Sequence, residues 1–246
     1  MNREAKTTTS TLRSFVKHVF RSLKSRHREY VFRSAVRQFI SASGDLSPET
    51  ATSLIYGWGN ESWSAAHEYL VASAQSAMRC RTPILDCGSG LTTIILGVIA
   101  QKTGNTVWAL EHQRFWGERV AQYLRRYHIS SVRLHLTKLV DYGEFCWYSV
   151  PIELLPDNFS LVLCDGPPGQ TRGGRYGLLP VMRSKLAPGA VILLDDAGRQ
   201  QERDTAARWA NELGTAYEVL GSTRPFVQII VPRDSGNDPL GTTEVR

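Results

Sequence analysis

The stretch "ILDCGSGLTT", residues 84–93, sets an aspartate at the end of an apolar run and two glycines directly after it. With the helical spacing of "TTIILGVIAQ" (92–101) behind it, the stretch reads as strand, tight turn and helix. The same alternation runs outward. Strand-like "TVWALEH" (106–112), "VRLHLTKLV" (132–140), "SLVLCDG" (160–166) and "AVILLDDA" (190–197) are interleaved with helix-like "FWGERVAQYLRRY" (115–127), "GLLPVMRSKL" (177–186) and "RQQERDTAARWANEL" (199–213). Strands nearly continuous in apolar residues, separated by helices, predict an α/β fold with a parallel sheet covered on both faces. Only "STRP" (222–225) separates the last strands, "AYEVLG" (216–221) and "FVQIIVP" (226–232), so these should pair antiparallel at one edge.

A chain of 246 residues has ample length for one such domain. It has no apolar run long enough for a membrane span and no short apolar core of a secretory leader near residue 1, so a cytoplasmic protein is expected. Cys80, Cys87, Cys146 and Cys164 lack metal-ligand spacing and are read as buried reduced thiols. The net charge of +6 is uneven: ten Lys or Arg against Glu4 and Glu29 give residues 1–40 a net +8, leaving −2 for the rest. Apolar residues recur at helical spacing through that basic stretch, which predicts a basic amphipathic arm over residues 1–45. Its basic face is read as solvated, or as a peripheral contact with an anionic membrane surface. Residues 46–234 form the expected main domain and 235–246 a disordered tail. With net −2 on the main domain, nucleic acid is not the expected partner.

In a parallel sheet, ligands bind outside the carboxyl ends of the strands where strand order reverses. Asp86, Gly88, Ser89 and Gly90 should lie there. A dinucleotide fingerprint requires a third glycine where Thr93 stands, and a pyrophosphate would face the Asp86 carboxylate with like charge. A ligand with a cationic amine reverses that sign. Glu111, ending the second strand, can accept two hydroxyl hydrogen bonds from a ribose. Alternatives at these positions are a bare strand-to-helix turn for the glycines, a helix cap for Asp86 and a solvated strand end for Glu111.

Through "ILDCGSGLTT", "VWALEHQ" (107–113), "LVLCDGPPG" (161–169) and "AVILLDDA", in that order, the chain resembles the class I S-adenosylmethionine-dependent methyltransferases from about Trp58 to Pro232. The resemblance implies a Rossmann-like, doubly wound, mostly parallel seven-stranded sheet. It implies S-adenosylmethionine as cofactor, with Asp86, Gly88, Ser89 and Gly90 at its methionine part and Glu111 at the ribose. Leu139–Tyr142, with Asp141, would flank the adenine. Asp165 and Asp196, ending the next two strands, are the candidate catalytic carboxylates, with Asp195 alongside. The expected reaction is in-line transfer of a methyl group to an oxygen of a small-molecule or glycan-like acceptor. Within the same fold, catechol-type O-methyltransferases hold magnesium with two aspartates and an asparagine. Asp165 and Asp196 match the aspartates, but Ala197 stands at the asparagine, so magnesium is admitted but not favoured and no metal ligand is assigned. "DGPPG" (165–169) is similar to the [DNS]PP[YFW] motif of amino-methylating enzymes but lacks its aromatic residue, which places N-methylation behind O-methylation. A non-catalytic scaffold with this fold is the other reading.

"QTRGGRYG" (170–177) reads as a mobile, basic loop over the acceptor, in which Arg172 and Arg175 hold a substrate carboxylate or phosphate, or are simply solvated. Tyr56, Trp58 and Trp63 are read as core packing, or as a cover over the site.

Overall fold

The computed structural model describes residues 4–61 and 63–233, with side chains from residue 20 onward; the tail expected at 235–246 lies outside the described residues. The sheet that positions the site has seven strands: β1 (Ile84–Cys87), β2 (Val107–Glu111), β3 (Val132–Leu136), β6 (Phe159–Cys164), β7 (Leu186–Leu194), β8 (Tyr217–Leu220) and β9 (Phe226–Ile230). Their order is β3-β2-β1-β6-β7-β9-β8. From β3 to β7 every pairing is parallel, and β9 runs antiparallel to both of its neighbours, as the four-residue turn "STRP" requires.

The apolar runs predict this sheet because its central strands are covered twice. Along β6, Leu161 and Leu163 enter one core, while Val162 and Cys164 enter the other. Ile84 and Leu85 on β1 divide the same way. The first core is closed by α2 (Pro48–Trp58), α3 (His67–Arg79), α4 (Leu91–Thr103) and α5 (Arg114–Arg126), the second by α6 (Leu178–Met182) and α7 (Gln200–Leu213). Helix ends follow local chemistry. Ser47 accepts the Thr50 N–H ahead of Pro48, and α2 and α4 stop at Gly59 and Gly104, both left-handed. Cys80, Cys87 and Cys164 are buried free thiols.

Two sequence expectations are corrected here. "VRLHLTKLV" is not one strand: it breaks at Thr137, whose N–H donates to the Glu111 carbonyl. Its second half, β4 (Leu139–Asp141), forms a separate antiparallel pair with β5 (Cys146–Tyr148). The arm is also no appendage. Helix α1 (Glu4–Ser41) is continuous, and Phe32, Ala35, Val36 and Phe39 on its last turns lie in the first core. A side-chain carbon on Gly57 of α2 would lie 2.6 Å from the Phe32 backbone, so glycine lets the two helices touch there. The boundary between 1–45 and 46–234 is therefore not a packing boundary. The apolar positions at 32–39 and the exposed Phe20, Leu23 and Tyr30 share one helical period but not one fate. Among the described residues no helix is long and apolar enough to cross a membrane.

Phe32→Ala should therefore cost about 3–5 kcal/mol, whereas Phe20→Ala, on the exposed part of the same helix, should stay within about 0.5 kcal/mol. Urea unfolding followed by circular dichroism measures both, and equal effects would refute the division of α1.

Candidate active site

Strand order reverses between β1 and β6, and the two strand ends are pinned to one another there. The N–H groups of Asp165 and Gly166 both donate to the Cys87 carbonyl, at 3.0 and 2.7 Å, and Gly88 N–H donates to Leu110 O at 3.0 Å. Gly88 has φ of 97°, and a side-chain carbon on it would lie 2.7 Å from Gly166 N. Only glycine fits that position. Gly90 differs: its backbone is extended, and nothing comes closer than 3.9 Å to a side-chain carbon built there, so the protein itself does not require a glycine.

Asp86 lies beneath this loop. It is fully buried, and it is not on the cavity wall. Thr93 Oγ1 donates to its Oδ2 at 2.6 Å and accepts the Gly90 N–H at 2.9 Å, while Thr92 approaches at 3.4 Å. Asp86 is thus placed behind the loop, where it braces the first turn of α4, the cap role open to it in the sequence. Thr93, which replaces the third glycine of a dinucleotide loop, is the other half of this brace. Burial raises the Asp86 pKa to about 7, against the opposing hydrogen bonds from Thr93 and Thr92.

Glu111 faces the cavity from the end of β2 and is 4% exposed. Its Oε1 accepts the N–H groups of His112 and Gln113 at 2.8 and 2.7 Å, and its Oε2 accepts Ser89 Oγ at 2.9 Å. These bonds fix the carboxylate and tie it to the glycine loop, and Oε2 retains capacity for a donor from a ligand.

The cavity has a volume of about 500 Å³, within the range of small-molecule sites. Along with the glycine loop and Glu111, its wall includes Trp58, Trp116 and Tyr148, and exposed Trp63 and Phe115 stand at its rim. The Trp116 indole N–H donates to the Ser89 carbonyl, which fixes the ring against the loop. Four buried polar atoms of wall residues, His112 Nδ1, Tyr148 Oη, Arg175 Nε and Asp195 Oδ1, have no hydrogen-bond partner among the described residues. The far wall comes from the C-terminal strands. Glu68, opening α3, accepts the N–H groups of Ser222 and Thr223, holding the turn between β8 and β9 so that Arg224 reaches the cavity and donates to Ser64 O at 2.7 Å.

Asp165, Asp195 and Asp196 meet at the ends of β6 and β7, within 4.8 Å of one another. Arg175 is buried among them. Its Nη2 donates to Asp165 Oδ1 at 3.0 Å and to Asp196 Oδ2 at 2.8 Å, and its Nη1 donates to the Asp195 carbonyl at 2.7 Å. Burial raises the Asp165 pKa well above the ordinary value, with the Asp195 carboxylate adding to it. Burial raises Asp195 too. Burial also works on Asp196, but the charge and hydrogen bond of Arg175, joined by Arg199 and Arg224, outweigh it and hold that carboxyl below its ordinary value.

The structure brings Gly88, Ser89, Gly90, Glu111, Asp165, Arg175 and Asp196 to one cavity. It does not bring Asp141 or Arg172 there. Asp141 accepts Arg172 Nη1 at 2.8 and 2.9 Å on the surface, so the two expected site residues neutralise one another away from the cavity. Phe115, Trp116, Tyr148, Arg199 and Arg224 are wall residues the sequence reading missed. Phe115 and Trp116 follow Glu111 so closely that the strand-end position of Glu111 could have found them. Arg224 carries no such signal.

No family model matches the chain, and no curated protein does. Solved structures match it in fold. Precorrin-6Y C5,15-methyltransferase from Geobacter metallireducens GS-15 matches with a TM-score of 0.50 and 17% identity, over 68% of this chain and 89% of that one. The C-terminal domain of precorrin-6Y C5,15-methyltransferase from Rhodobacter capsulatus gives 0.49 and 15%, over 69% and 91%. O-methyltransferase TomG from Streptomyces achromogenes, in complex with SAM, gives 0.49 and 16%, over 69% and 81%. The chain thus shares its fold with the Geobacter methyltransferase.

The brace under the loop has a pH signature. Between the ordinary carboxyl pKa of 3.8 and the native value of about 7, native Asp86 keeps a proton that the unfolded chain releases. Its contribution to stability is full below that window and is lost as pH rises through it, by up to about 1.4 kcal/mol per pH unit. Asp86→Asn should flatten that slope in urea titrations of the ligand-free protein; an unchanged slope would place the raised pKa elsewhere.

Proposed function

We propose that this cavity binds S-adenosylmethionine and that the protein is a methyltransferase acting on an oxygen of a small-molecule or glycan-like acceptor. The observation that carries the reading is Glu111: a fixed carboxylate at the end of β2, bonded to the glycine loop through Ser89, on the wall of a cavity at the reversal of strand order. The residues fit the group. Glu111 Oε2 would accept ribose hydroxyls, the opening amides of α4 would meet the carboxylate of the methionine part, and Phe115 and Trp116 would flank the adenine in place of the 139–142 segment. Tyr148 Oη supplies a buried donor without a protein partner. A dinucleotide fits less well, because Thr93 stands where its loop would need a third glycine.

When bound, the cofactor supplies an electrophilic methyl group on sulfonium. The chain supplies position and proton management. Asp165, on the cavity wall at the end of β6, orients the acceptor hydroxyl and takes its proton. Burial and the Asp195 charge raise its pKa, so it can act only from its ionised fraction, which is a stronger base than an ordinary aspartate. Asp196, held ionised by Arg175, Arg199 and Arg224, fixes the electrostatic background. An amine acceptor would need less of this proton acceptor, which keeps N-methylation the secondary reading.

Calorimetric titration with S-adenosylmethionine, S-adenosylhomocysteine and NAD tests the proposal. Binding of both adenosyl ligands but not NAD is expected, and Glu111→Ala should weaken it by about 1.5–3 kcal/mol, the range for hydrogen bonds to charged groups. Binding of none would favour a scaffold. We also propose that α1 touches anionic membrane surfaces, since exposed Phe20, Leu23 and Tyr30 lie among Arg21, Lys24, Arg26 and Arg33. Replacing Phe20 and Leu23 by serine should then reduce co-sedimentation with phosphatidylserine vesicles; equal sedimentation would eliminate this contact.

A further inference from the structure

The carboxylates ending β6 and β7 have the spacing of a cation site. Asp165, Asp195 and Asp196 can each direct an oxygen to within 4.8 Å of the others, a span that one hard divalent ion bridges. That span is filled by part of the chain. Arg175 Nη2 lies between Asp165 Oδ1 and Asp196 Oδ2, at 3.0 and 2.8 Å, and the Arg175 side chain is 3% exposed. An ion reaching the same two oxygens at about 2.0–2.1 Å would overlap the guanidinium nitrogen. Guanidinium and ion therefore exclude one another.

The surroundings favour the guanidinium. Its Nη1 is anchored by the Asp195 carbonyl at 2.7 Å, and Glu202, buried behind it, lies 4.0 Å from Nη1. Asp196 gives its remaining contacts to Arg199 and Arg224, at 2.9 and 3.2 Å. A guanidinium does not deprotonate in proteins, so this positive charge is permanent. The two oxygens that face Arg175 are therefore not open to a divalent ion, and Asp195 Oδ1 is the oxygen of the cluster that the guanidinium leaves unpartnered.

We infer that Arg175 is the resident cation of this cluster and takes the place of a divalent metal, so that the chemistry of the cavity is independent of divalent ions. Arg175 is then a positioning residue: it holds Asp165 at the cavity wall and keeps Asp196 charged, as a metal would, without offering an open coordination position. Arg172, three residues earlier in the same loop, has no such role, since it pairs with Asp141 on the surface. The inference concerns the cluster itself and stands whether or not the cavity takes an adenosyl ligand.

The test is titration of the full chain with Mn²⁺, read by the loss of the free-ion electron paramagnetic resonance signal, with no adenosyl ligand present. The wild-type protein should leave the signal unattenuated. Arg175→Met should gain stoichiometric Mn²⁺ binding, because four buried or half-buried carboxylates lose their internal counter-charge, and adding Asp196→Asn to that variant should abolish the gain. Wild-type binding that Asp196→Asn removes would overturn the inference, as would a folded Arg175→Met protein that binds no Mn²⁺. Should Arg175→Met not fold, Arg175→Lys with the wild-type titration decides. A folded lysine variant that still excludes Mn²⁺ supports a resident positive charge. Wild-type binding competed by Mg²⁺ and lost in Asp165→Asn refutes it.

Discussion

The backbones of Gly88 and Gly166 pass so close that neither strand end has room for a side chain between them, and the rest of the site is arranged around that contact. Both N–H groups that follow β6 turn back to the Cys87 carbonyl, so the loop after β1 and the loop after β6 move as one body. Everything with chemical character is hung from this junction. Glu111 reaches it through Ser89, Trp116 through the Ser89 carbonyl, and Asp86 supports it from below through Thr93. A rigid frame of this kind supplies most of what a transfer reaction asks of a protein, since alignment accounts for much of the barrier.

A second constraint is charge. Four carboxylates, those of Asp165, Asp195, Asp196 and Glu202, crowd the far side of the cavity, and burying them together would be prohibitive without counter-charge. Arg175 supplies it from within, and Arg199 and Arg224 from the rim. Burial opposes the charge of Arg175, but Asp165 and its neighbours more than offset this. The result is an acidic pocket in which one carboxyl is stabilised in its charged form and two are stabilised in their neutral form, an asymmetry suited to moving a proton.

Much of this was legible in the sequence, for a specific reason. Strands buried on both faces are apolar at nearly every position, Asp86 of β1 being the braced exception, so β1, β6 and β7 announce themselves, and the residues that follow the last two, Asp165 and Asp196, fall at the site. Glu111 is legible in the same way. What the sequence conceals depends on contacts across distance. Asp141 and Arg172 are 31 positions apart and their pairing leaves no local trace, so each was read as facing a ligand. In sequence "GGR" (173–175) reads as a mobile loop, while the fold buries Arg175 among carboxylates from two strands. The basic spacing of α1 likewise conceals which of its turns meet the core, because the apolar period is unchanged from Phe20 to Phe39 while the partner, α2, covers only the later ones.

The clamp that Glu68 places on the turn at Ser222 and Thr223 joins α3, the helix directly before the sheet, to the last hairpin, across more than 150 positions. Arg224 takes its place on the cavity wall only through that closure, opposite residues such as Trp58 and Ser64. The cavity is thus a product of the finished chain rather than of any segment. During synthesis the glycine loop, Glu111 and the acidic cluster all emerge before the hairpin, as an open and incomplete surface. The pocket has its far wall only with the last strand in place between β7 and β8, so completing the sheet and completing the wall are the same step.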